Sequence, residues 1–120
     1  MLVFMGGGAG AVARYVAGAA IMQRFGGLFP LGTFVINVTG SFLIGVLMTL
    51  LTERFQLSPN YRFLLVIGFL GGYTTFSSFE YETVQAVREG AAGTGLLNVI
   101  ASVAAGYIAV WLGIAIAARA

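Results

Sequence analysis

A chain of 120 residues that is 59% hydrophobic and only 8% charged, with a formal net charge of +2, cannot clothe a soluble fold in ionised groups. Soluble domains carry about 25% charged residues, and a small fold leaves much of its surface exposed. The composition excludes a water-soluble enzyme, a nucleic-acid-binding domain and a disordered tail, and points to an integral membrane protein. All cations are arginine, all anions glutamate, and cysteine and histidine are absent. Thiolate and imidazole chemistry are therefore excluded, and only hard oxygen ligands remain for an ion.

Four apolar stretches follow in chain order, each near the roughly 20 residues that cross a hydrocarbon core as helix. The first is expected over residues 2–22, before Gln23-Arg24-Phe25-Gly26-Gly27. Arg14 interrupts it and no cationic start precedes it, so no cleaved signal peptide is expected. The second, over 31–52, follows Pro30 and stops at Glu53-Arg54. The third, over 61–89, follows the Ser58-Pro59-Asn60 turn, and the fourth covers 95–118. With such short connections the chain reads as one transmembrane domain over 1–120, an all-α membrane protein of four antiparallel helices. Arginines near the two faces divide as Arg54, Arg62 and Arg119 against Arg24 and Arg88, which barely biases orientation. One orientation winning on weak signals is the plain reading. Insertion both ways, with pairing as an antiparallel dimer, is the sharper one, and a four-helix protomer is too thin to enclose a hydrated path alone.

Polar side chains in lipid usually face a cavity or a partner. In the second span Thr33, Asn37 and Ser41 share a helical face at i, i+4 and i+8, and Asn98, Ser102 and Gly106 repeat that spacing in the fourth. A lone hydroxyl ordinarily bonds back to its own helix. The Asn37 amide needs partners from elsewhere, as a helix–helix clamp or as a donor to a ligand. The third span reads Gly68-Phe-Leu-Gly-Gly-Tyr-Thr-Thr-Phe-Ser-Ser-Phe-Glu-Tyr-Glu82-Thr83. Paired glycines followed by β-branched residues make a poor helix, so a break is expected near 71–75, mid-membrane, where freed carbonyls line a wet cavity or bind an ion. An intact helix with a glycine packing face is the alternative. Phe76 and Phe79 share a face once the helix resumes. Ordinary packing explains such a pair. Beside Ser77, Ser78 and Asn37, however, their positive ring edges would suit a small anion. Arg14 and Glu82 are candidate vestibule or supporting charges.

These stretches, Gly68 to Phe79 with Glu82-Thr83 and Gly32-Thr-Phe-Val-Ile-Asn37-Val-Thr-Gly40, closely resemble the Fluc/CrcB family of bacterial fluoride channels, and the likeness covers the whole chain. The resemblance implies a passive channel that lets cytoplasmic fluoride leave the cell, a multi-pass protein of the bacterial inner (plasma) membrane. It implies an antiparallel, dual-topology homodimer with two pores and a structural sodium ion at its centre, held by backbone carbonyls of Gly71 and Thr74. It assigns the ion pathway to Asn37, Phe76, Phe79, Ser77, Ser78, Thr33 and Ser102. Residue chemistry alone reaches a small ion in a neutral polar lining. Two other classes compete: a small dual-topology proton-coupled multidrug transporter, which needs an embedded acid where the first span has Arg14, and a non-transporting scaffold subunit.

Overall fold

The computed structural model describes residues 1–120, and its only regular secondary structure is helix. Helix α1 spans Leu2–Phe25. Helix α2 spans Leu31–Arg54, regular to Met48 and widened to π geometry over Thr49–Arg54. The third span, Pro59–Arg88, divides into α3, residues 59–73, and α4, Phe76–Arg88. Helix α5 spans Ala92–Ala118. Each of the four spans is long and apolar enough to cross a membrane. Exposed Tyr107, Trp111, Leu112 and Ile116 present an apolar face of α5 outward, as a multi-pass membrane protein requires.

Local chemistry sets the helix ends. Helix α1 continues past Met22 to Phe25 and ends where Gly26 turns extended, with φ −59° and ψ 141°; any Cβ there would strike the Met22 carbonyl. Ser58 caps α3 by accepting the Asn60 N–H, with Pro59 in the first helical position, where its missing N–H leaves nothing unpaired. Gly90, at φ 86°, ends the third span in the left-handed conformation that glycine adopts without strain. Helix α5 begins at Ala92, before Gly95, because nothing in Ala92-Gly93-Thr94 forces a stop.

Two backbone-to-backbone seams hold the helices together. Between α1 and α3, a Cβ on Gly6 would collide with the Leu64 carbonyl, one on Gly10 with the Phe69 carbonyl, and one on Gly72 with the Gly7 carbonyl. Between α2 and α5, Gly45 meets the Val110 carbonyl and Gly113 the Phe42 carbonyl in the same way. Lipid tails are as apolar as leucine, so close van der Waals approach drives helix association, and small residues permit it.

The interruption in the third span is shorter than its glycines suggest. Gly71 and Gly72 remain helical; only Thr74 (φ −85°, ψ 158°) and Thr75 (φ −149°, ψ 123°) are extended. The physical reason is the seam. Gly72, still helical, packs against Gly7 and Ala11 of α1, whereas Gly71 is exposed beside it, and the departure falls at the β-branched pair that follows.

Candidate functional site at the helix interruption

The extended pair is held from outside by Asn37. The Thr75 N–H donates to Asn37 Oδ1 at 2.8 Å, and Asn37 Nδ2 donates to the Thr75 carbonyl at 2.8 Å. One side-chain amide thus replaces both bonds that a helix would have supplied to that peptide. The backbone N–H can meet only the amide oxygen, which fixes the amide's direction and leaves one Nδ2 hydrogen uncommitted. Both readings of Asn37 therefore have structural support: it clamps α2 to the third span and retains a donor.

Helix α4 restarts through a cap. Thr75 Oγ1 accepts the Ser78 N–H at 3.2 Å, the usual threonine N-cap geometry. Upstream, Thr74 donates its N–H and its hydroxyl to the Leu70 carbonyl, each at 3.0 Å. Because Asn37 takes the Thr75 N–H, the Gly71 carbonyl loses its usual helical donor. The next carbonyl along, Gly72, accepts from Arg14 Nε at 3.0 Å. Arg14 is half-buried, and its partner is this carbonyl at the broken end of α3.

Beside the interruption lies a groove of about 410 Å³, open to one side. It gathers Asn37, Gly71, Thr74, Phe76, Phe79 and Ser102 from three different spans, and no charged side chain lines it. The Phe76 and Phe79 rings lie 5.8 Å apart at 59°. Phe79 is 6% exposed, whereas Phe76 is 74% exposed and stands at the open side. The lining offers the Asn37 amide, the Ser41 and Thr75 hydroxyls and ring edges, while the Thr74 hydroxyl is already bonded to the Leu70 carbonyl. Such a surface can replace the water of a small ion without binding it as an opposite charge would.

Other predicted residues lie elsewhere. Thr33 is half-buried on α2 but does not reach the groove. Ser77 is exposed and Ser78 half-buried, and neither lines the groove; the Ser78 N–H is spent on the cap. Glu82 is half-buried on α4, with Oε1 buried and without a hydrogen-bond partner. Three residues outside the predicted set matter here. Ser41 lines the groove, as its register with Asn37 indicates. Thr75 provides the cap, and a threonine three residues before Ser78 was its sequence signal. Thr83 joins Asn98 and Ser102 across helices, which no sequence spacing reveals.

Comparison with known proteins finds relatives over nearly the whole chain. The family described as CrcB-like protein, Camphor Resistance (CrcB), matches residues 1–114. A fluoride-specific ion channel FluC of Solibacter usitatus (strain Ellin6076) is 59% identical over 119 residues, 99% of this chain and 98% of the relative. One of the same name from Acidobacterium capsulatum is 50% identical, covering 98% of this chain and 94% of the relative. Another, from Coxiella burnetii (strain CbuK_Q154), is 47% identical, covering 97% and 94%.

Proposed function

Because the chain belongs to the CrcB-like family, we propose that it is a fluoride-selective ion channel of the bacterial inner membrane, passively exporting cytoplasmic fluoride without a catalytic cycle. The observation that carries this reading is the neutral, donor-lined groove at the Thr74–Thr75 interruption. Fluoride is small and the strongest hydrogen-bond acceptor among the halides, so pre-placed donors and ring edges at close range favour it over larger anions. The free Nδ2 hydrogen of Asn37 and the Phe76 and Phe79 edges are the principal contacts, with Ser102 and Ser41 beside them. Ser77, Ser78 and Thr33 belong to the approach rather than to the groove, and Arg14 and Glu82 to the surrounding vestibule.

The working unit is an antiparallel, dual-topology homodimer. The weak arginine bias supports it, as do the groove's open side and the exposure of Phe76 and Gly71 in a single protomer. The interruption sits mid-membrane: in a span of 30 residues, the helix after it has 13, leaving 15 before it once Thr74 and Thr75 are subtracted. The donor set fits a structural sodium ion. Gly71 has a carbonyl freed of its helical donor, Thr74 is extended beside it, and hard carbonyl oxygens suit a hard cation. Gly71 and Thr74 of each subunit would hold the ion, which supplies a fixed positive charge and ties the two interruptions together.

Liposomes carrying the purified protein are expected to release fluoride rapidly and chloride negligibly, and to lose flux when sodium is withheld. Equal efflux of the two halides refutes selectivity. Phe76→Ile and Phe79→Ile should each slow fluoride about tenfold while the dimer persists; unchanged flux in both removes the rings from the pathway. A proton-coupled multidrug transporter draws no support: the first span carries Arg14 bonded to a carbonyl, and these relatives carry a channel's name.

A further inference from the structure

Away from the interruption, a chain of side-chain hydrogen bonds runs from the groove into the α4–α5 contact. Ser102, which lines the groove, lies 3.2 Å from Asn98 Oδ1; Asn98 Nδ2 lies 3.0 Å from Thr83 Oγ1; and Thr83 Oγ1 lies 2.8 Å from the Phe79 carbonyl. Valence fixes the direction of every hydrogen. A carbonyl only accepts, so the single Thr83 hydrogen goes to Phe79. The Thr83 oxygen can then only accept, so the Asn98 atom facing it is the nitrogen. The amide oxygen therefore faces Ser102, and Ser102 must donate its one hydrogen to it.

We infer that Asn98 and Thr83 are positioning residues that hold the Ser102 hydrogen away from the groove, so that Ser102 yields it to an anion only by breaking its bond to Asn98. This rests on the channel reading above. In its resting direction Ser102 shows lone pairs to the groove, which repel a halide. Releasing the hydrogen leaves Asn98 Oδ1 unpaired at a residue only 1% exposed, a costly site for an orphan acceptor. The ladder thus keeps fluoride weakly held at Ser102, which favours passage over capture, since conduction requires sites that an ion can leave.

The consequence at Thr83 is specific. Thr83 does not line the groove, yet Thr83→Val removes the only group that dictates the amide's direction. Asn98 can then turn its nitrogen toward Ser102, which becomes an acceptor and points its hydrogen into the groove without creating a further unpaired atom. Fluoride efflux is measured across fluoride concentrations for the wild type, Thr83→Val, Thr83→Ser, Asn98→Val, and each valine variant combined with Ser102→Ala. The half-saturating fluoride concentration should fall about fivefold in Thr83→Val, the equivalent of one modest hydrogen bond, and move the same way in Asn98→Val. Thr83→Ser should restore the wild-type value, and Ser102→Ala should erase both shifts. An unchanged value in Thr83→Val, or a shift that survives Ser102→Ala, overturns the inference; should Asn98→Val fail to fold, the isosteric Thr83→Val decides. In a second readout, the Asn98 side-chain amide, followed by asparagine-selective ¹⁵N NMR, should move on adding sodium fluoride but not sodium chloride, and stay still in Ser102→Ala. That response without flux refutes the channel reading alone, while flux without the response overturns the inference alone.

Discussion

The glycine seam between α1 and α3 and the threonine pair between α3 and α4 are neighbours in sequence and opposites in construction. At Gly6, Gly10 and Gly72 two backbones touch with no side chain between them, and the chain stays helical on both sides of the contact. At Thr74 and Thr75 the helical ladder is given up, and side chains from elsewhere, chiefly Asn37, take over the stranded backbone groups. The difference teaches that in lipid a glycine cluster signals close approach, whereas a break needs a polar partner that arrives from another helix. Without that partner an unpaired peptide in hydrocarbon costs several kcal/mol, and the helix would close up.

The largest expected effect lies in the seam. Gly10→Val sets a branched side chain against the backbone at Phe69 and should destabilise the fold by about 3 kcal/mol, read as loss of monodisperse protein in detergent. Gly8→Ala is the contrast, because nothing lies within 4 Å of a Cβ at that position, and its yield should match the wild type. At the interruption, Asn37→Leu strands the Thr75 N–H and carbonyl together. It should cost about 3 kcal/mol and lower fluoride flux at least tenfold. A variant as stable as the wild type would show that the break sustains itself. Thr75→Val removes the cap hydroxyl but leaves Asn37 its backbone partners, so a loss of about 1 kcal/mol is expected in thermal unfolding. Smallest is Tyr73→Phe, which deletes the 2.9 Å bond between Tyr73 and Thr39. It should shift stability by about 0.5 kcal/mol and leave flux unchanged; a larger change would extend the polar support of the interruption to Tyr73.

Several features were legible early because they are local. Four spans follow from high mean hydropathy and short connections. The shared face of Asn37 and Ser41 follows from helical periodicity, and both line the groove. The same periodicity also proposed Thr33, which lies a full turn away from Asn37 and beyond the groove's reach. The doubled glycine pointed to the correct region but not the correct residues, since helix propensity does not say whether a glycine gives way or packs. The family resemblance assigns Ser77 and Ser78, between two phenylalanines, to the pathway. In the helix that restarts at Phe76, consecutive residues turn by about 100°, so they leave the face that Phe76 and Phe79 share.

Composition and periodicity alone determined that this chain is an all-helical membrane protein with an uncharged polar stripe and a weakened third span, because hydropathy and helical register are properties of consecutive residues. Which carbonyl loses its donor, where Arg14 ends its reach, and which way the Ser102 hydrogen points were decided only when Asn37, Gly72, Thr83 and Asn98 met across helices. A hydrogen bond has a direction only once both partners are in place, and those partners lie 38, 58 and 15 residues apart in the chain.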